Sequence, residues 1–128
     1  MTYQLYNRDG SGDFVVEAAL ALAGAPFEIV KLDSKSGTAL PDTFRGTNPW
    51  RQVPTLILPG GSTMTETAAI LIHIAACYPD RALAPRPGTP AHAKFLRWLI
   101  FVRSAGCCFR DAAVGPSPLP LRPWQELQ

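Results

Sequence analysis

Cysteine is scarce in this chain, and what there is of it does not form the pattern of a covalent framework. The three residues, Cys77, Cys107 and Cys108, are odd in number and include an adjacent pair, whereas a disulfide scaffold uses an even set at spaced positions. A reducing compartment fits that usage. No Cys-x-x-Cys occurs, which argues against a dithiol oxidoreductase. The two histidines, His73 and His92, lie far in sequence from the cysteine pair, so no zinc or other metal site is expected. Charge is sparse as well: 17% of residues are charged and the formal net charge is +2. With no basic cluster interleaved with aromatics, a nucleic-acid partner is not expected. Long hydrophobic runs are missing too. The longest, Ala68 to Tyr78, falls short of the roughly 20 residues that cross a bilayer. The start, Met1-Thr2-Tyr3-Gln4, has neither the basic residues nor the apolar stretch of a secretory signal. These absences set the expectation of a soluble, cytoplasmic protein with no membrane partner.

What is present is the composition of a globular domain. Apolar residues make up 47% of the 128, enough for one hydrophobic core and, by size, one domain. Tyr3 to Asn7 reads as a short strand, and Arg8-Asp9-Gly10-Ser11-Gly12 as a turn, since glycine and aspartate supply positive φ and local capping. Arg8 and Asp9 are read as solvated. Helical spacing begins at Asp13, with Phe14, Ala18 and Leu22 on one stripe and Val15, Ala19 and Leu22 beside it. Gly24 stops that helix and Pro26 marks its end. Phe27 to Leu32 alternates as a strand does. The polar stretch Asp33 to Asn48 leaves room for one short helix near Asp42 to Gly46. Val53 to Leu58 and Ser62 to Thr65, joined by Pro59-Gly60-Gly61, form a hairpin. Ala68 to Tyr78 is a helix ended by Pro79-Asp80, and Pro90 opens another over Ala91 to Ala105.

The order β-α-β-(α)-β-β-α, then a linker and one helix, belongs to the α/β class and suits a single four-stranded mixed sheet with helices on its faces. It is the order of a thioredoxin-like domain, although composition alone leaves other α/β arrangements open. The division expected is a first domain over 1–80, a linker over 81–90, a helix over 91–105 and an irregular tail over 106–128. The tail holds four prolines and no periodicity, so extended, poorly ordered chain is expected there. The helices of Ala68 to Tyr78 and Phe95 to Val102 are apolar nearly all round and need cover on more than one side. Within them, His73 reads as a satisfied core histidine, Cys77 as a small buried hydrophobe and Trp98 as packed against the first domain.

Asn48-Pro49-Trp50-Arg51-Gln52-Val53-Pro54-Thr55-Leu56, followed by Thr65-Glu66-Thr67-Ala68-Ala69-Ile70, resembles the glutathione site of bacterial glutathione S-transferases. Gly10-Ser11-Gly12 ahead of Phe14 to Gly24, with Pro26-Phe27-Glu28, matches their first strand, turn and helix. The resemblance runs from Tyr3 to about Ala105. It implies a thioredoxin-like domain that binds glutathione as co-substrate, activates its thiol for attack on an electrophilic small molecule, and pairs into a homodimer. It also implies a cis Val53–Pro54 bond, with the backbone of Val53 turned outward to pair with the cysteinyl residue like an added strand. An ordinary turn proline is the alternative. Glu66 would take the γ-glutamyl ammonium and Thr67 its carboxylate, aided by a helix N-terminus; Gln52 would reach the glycine end. Thr63-x-x-Glu66 also spells a capping box, and both readings can hold together.

The thiol-activating group is expected to be Ser11, with Tyr6 the alternative and a plain turn serine the bland reading. Some relatives carry a cysteine where this chain has Gly12 or Asp13, which argues against thiol chemistry by the protein itself. Lowering a thiol pKa from about 8.5 to about 6.5 requires roughly 2.7 kcal/mol, within reach of a charge-assisted hydrogen bond and a helix N-terminus. In relatives the helix near Pro90 opens a larger all-helical domain that shapes the electrophile site. Here the pattern breaks near Ala105, so a truncated or frame-shifted transferase, binding glutathione with weak or no catalysis, is the competing expectation.

Overall fold

The computed structural model describes residues 2–8, 14–32, 42–50 and 52–112, and for 42, 43, 45 and 105–112 the backbone alone. The elements are β1 (Tyr3–Asn7), α1 (Phe14–Ala23), β2 (Phe27–Lys31), α2 (Asp42–Thr47), β3 (Thr55–Ile57), β4 (Thr63–Met64), α3 (Thr67–Cys77), a single 3-10 turn at Pro79–Arg81, and α4 (Pro90–Ala112). The strands form one sheet in the order β2-β1-β3-β4. β1 runs parallel to β2, with Leu5 opposite Ile29, and antiparallel to β3, with Leu5 opposite Leu56. β3 pairs antiparallel with β4. This is the mixed four-stranded sheet of a thioredoxin-like domain.

Alternation places Tyr3 and Leu5 of β1 inward and Gln4 outward, as the two-residue period of a strand requires. Leu56 of β3 joins them, and Val16, Leu20 and Ala23 of α1 with Ile70 and Ile74 of α3 close the core from the helical side. Burying a Leu or Ile side chain contributes about 1.5–3 kcal/mol, so these contacts are what hold the helices to the sheet. α1 stops where expected. Gly24 at φ 68° donates to Ala21 O, and Ala25 donates to Leu20 O, each at 3.0 Å, the paired bonds of a helix ended by a left-handed residue. A Cβ on Gly24 would come within 2.9 Å of the Arg81 guanidinium. Pro90 opens α4, and the Thr89 hydroxyl accepts from the His92 N–H at 3.2 Å, a side-chain cap on an otherwise orphan donor.

Several sequence expectations are corrected. The buried stripe of α1 is Val16, Leu20 and Ala23, one step round the helix from the stripes read from sequence. Phe14 and Leu22 are exposed, while Val15, Ala18, Ala19 and Leu22 line an apolar groove of about 200 Å³ facing Phe95 and Leu99 of α4. The helix identity came from periodicity, but several apolar registers competed and only the sheet chose between them. α4 does not end at Ala105: it continues through Gly106, Cys107 and Cys108 to Ala112, so the first seven residues of the expected tail are helical. Residues 113–128 lie outside the described residues. Trp98 does not pack on the first domain; it is 54% exposed and sits edge-on to Phe101 of its own helix at 5.6 Å. Cys77 is exposed, with its Sγ 3.5 Å from His73 Nε2, and His73 is half-buried.

Candidate functional site

The segment between α2 and β3 is held by one buried side chain. Asn48 is 2% exposed; its Nδ2 donates to Gln52 O and to Thr55 Oγ1, both at 2.9 Å. Its Oδ1 accepts from the Trp50 N–H at 3.1 Å. The Thr55 hydroxyl, buried at the start of β3, donates in turn to Gln52 O at 2.8 Å. An amide with both donors and its acceptor engaged ties a loop more firmly than any propensity could. The loop therefore presents Gln52, Val53 and Pro54 in one arrangement. The Val53–Pro54 peptide is cis, Pro54 is buried and Val53 half-buried. No described residue hydrogen-bonds the backbone of Val53.

Across from this loop, Thr65 and Glu66 lead out of β4 into α3. Glu66 is the residue before the first turn of α3 and has φ 67°, a left-handed conformation that costs a non-glycine residue on the order of 1–3 kcal/mol. Its side chain makes no bond to the helix, so the capping box read at Thr63-x-x-Glu66 is not formed: Thr63 belongs to β4, and Glu66 itself occupies the cap position. Ile70 is the first helical donor, to Glu66 O at 3.0 Å. The N–H groups before it are the unsatisfied, positive end of α3. Thr67, the first residue of the helix, is buried.

These two segments line one open cleft of about 480 Å³, with Gln52, Val53 and Pro54 on one side and Thr65, Glu66 and Thr67 on the other. The structure thus brings together Gln52, Val53, Pro54, Glu66 and Thr67. Ser11 lies outside the described residues. Tyr6 is half-buried, its ring 5.1 Å from that of Phe44, and does not line the cleft. Two residues missed by the sequence reading do: Arg8 and Arg103. Arg8 is not solvated but half-buried, with its Nε in the interior. Its place directly after β1 was the available signal. Arg103 had none, because nothing in a helical repeat says which turn of α4 will reach the sheet.

The glutathione S-transferase N-terminal domain family matches residues 15–77, from α1 to the end of α3. The chain is 29% identical over 100 residues to glutathione S-transferase GstA of Escherichia coli O157:H7, covering 77% of this chain and 50% of that protein. This chain belongs to the glutathione S-transferase family. Among solved transferases, the beta-class enzyme of Sphingomonas chungbukensis is 37% identical at a TM-score of 0.70, over 79% of this chain and 51% of that one. A sphingomonad glutathione S-transferase complexed with glutathione is 33% identical at a TM-score of 0.73, over 91% of this chain and 58% of that one. The chain spans about half the length of the curated relatives it matches.

Proposed function

We propose that this chain binds glutathione in the cleft beside Val53–Pro54 and activates its thiol for conjugation to an electrophilic small molecule. The observation that carries the reading is Glu66, held at φ 67° at the start of α3 without a bond to that helix, in one cleft with Val53 and Thr67. A carboxylate kept in so unfavourable a backbone conformation and not used by its own helix is available to a ligand. In this reading Val53 pairs through its backbone with the cysteinyl residue. Glu66 takes the γ-glutamyl ammonium, while Thr67 and the free N–H groups of α3 take the neighbouring carboxylate. Gln52 reaches the glycine end. Ser11, four positions after the end of β1 in sequence, donates to the sulfur and favours the thiolate, with Tyr6 the alternative. The thiolate then forms a thioether bond to the electrophile, a detoxification chemistry suited to the cytoplasm. The complex of a similar sphingomonad transferase with glutathione supports the choice of ligand. A homodimer using the apolar face of α4 belongs to the same reading.

Titration calorimetry with glutathione, followed by a chromogenic electrophile assay, tests it. Glu66→Gln is expected to weaken binding tenfold or more, as loss of a charge-assisted hydrogen bond of about 1.5–3 kcal/mol implies. Ser11→Ala is expected to bind but turn over slowly. Absence of glutathione binding by the wild-type chain would overturn the reading, and binding without turnover would reduce it to a glutathione-binding module.

A further inference from the structure

The cleft holds a cation to which the glutathione reading gives no role. Arg103 reaches it from α4, a third element beside the two segments that carry Gln52 to Pro54 and Thr65 to Thr67. Its side chain is exposed, and among the described residues no hydrogen bond or ion pair engages its guanidinium. Arg8 lines the same cleft but has a partner of its own. Arg103 is therefore the open cation among the described residues of the lining.

Its own helix offers no counterion. The positions three and four away from it, Leu99, Ile100, Gly106 and Cys107, carry no carboxylate, and α4 has no Asp or Glu before Asp111. Ile100 and Leu96 precede Arg103 at steps of three and four residues, which is one face of a helix. Ile100 is 50% exposed and Leu96 half-buried, so the guanidinium stands on an apolar face. Such a face fits a ligand with an apolar body and one anionic group, since the planar N–H donors of arginine match both oxygens of a carboxylate. In the glutathione reading the charged ends of the tripeptide are met elsewhere: Glu66 takes the ammonium, Thr67 and the start of α3 the γ-glutamyl carboxylate, and Gln52 the glycine end.

We propose that Arg103 selects electrophiles that carry a carboxylate on an apolar body, so that the second substrate of the cleft is an organic acid. The inference rests on the glutathione reading, in which Val53 fixes the cysteinyl residue and the electrophile meets its sulfur beside the same lining. Arg103 acts on the choice of electrophile and not on the sulfur.

Titration calorimetry of the full chain with the S-(para-carboxybenzyl) and S-(para-carbamoylbenzyl) conjugates of glutathione reads the preference without requiring turnover. The two ligands are closely matched in shape and differ by one negative charge. The wild type is expected to bind the carboxyl conjugate about tenfold more tightly, between what an exposed ion pair and a charge-assisted hydrogen bond provide. Arg103→Gln should bind the two about equally. Arg103→Lys should keep a preference of about threefold, because the charge survives without the paired donors. No preference in the wild type, or a preference that survives Arg103→Gln, would overturn the inference and leave the glutathione reading standing. A glutamine variant that lost affinity for glutathione and for both conjugates in equal measure would also overturn it, and would assign Arg103 to the glycine carboxylate. Failure of the wild type to bind glutathione would overturn both.

Discussion

Leu5, Leu20, Leu56 and Ile70 have no exposed surface at all, whereas Trp98, Ile100, Phe101 and Val102 on α4 stand 43–65% exposed. The residue types are alike, and the difference lies in what each region packs against. Residues of the first kind sit between a sheet and two helices, so every side of the cluster has a partner. Among the described residues α4 packs chiefly against α3, and a helix has more than one side. Hydrophobicity read along the chain reports a demand for burial. Whether the demand is met depends on how many layers surround the element.

The contrast can be broken most directly by truncating one residue from each region. Leu56→Ala is expected to lower unfolding free energy by about 3–5 kcal/mol, since it leaves a cavity between sheet and helices. Phe101→Ala should cost less than about 1 kcal/mol, because much of its surface is already in water. Urea denaturation of the two variants measures both, and equal losses would show that α4 is as fully packed as the sheet. Asn48→Ala is the next largest. Removing its amide leaves the Trp50 N–H without its acceptor and takes one of two bonds from each of Gln52 O and Thr55 Oγ1, at a cost of about 1–3 kcal/mol. It should also weaken glutathione binding by more than its effect on stability implies, because the loop carrying Val53 loses its tie.

A pH-dependent effect, absent near neutrality, concerns Tyr3 in the buried region. Burial first, and then the neighbouring Tyr78 and Cys77, push its hydroxyl up to about 12, against about 10 in the unfolded chain. The folded state therefore holds that proton more tightly. Its contribution to stability is complete below about pH 10 and declines as pH rises from there toward about 12. Thermal unfolding across that window should show Tyr3→Phe losing less stability than the wild type; parallel curves would count against it. The exposed aromatics of α4 have no such titration, so the effect separates the two regions by a different observable.

Most of the fold was legible because its signals are local. Gly24 and Pro26 end α1, Pro59-Gly60-Gly61 turns the hairpin, and Pro90 opens α4, each through backbone constraints that act within a few residues. The motif positions Gln52, Val53, Pro54, Glu66 and Thr67 were legible through family resemblance, and they do meet in one cleft. What escaped was everything set by three-dimensional neighbours. The choice of Val16, Leu20 and Ala23 as the inward stripe depended on the sheet. The failure of the Thr63–Glu66 capping box depended on Thr63 being claimed by β4, and on Glu66 adopting a left-handed backbone. The exposure of Cys77 and Trp98 depended on what does not cover them among the described residues.

By itself, the sequence determined the kind and order of the elements, the turns between them and the family to which the cleft belongs. Periodicity, glycine, proline and short motifs all act over a few bonds. The tertiary structure alone decided which charges share the site. Arg8 and Arg103 are 95 positions apart in the sequence and line the same 480 Å³. Electrostatic interaction depends on distance through space and on burial, and neither is written along the chain.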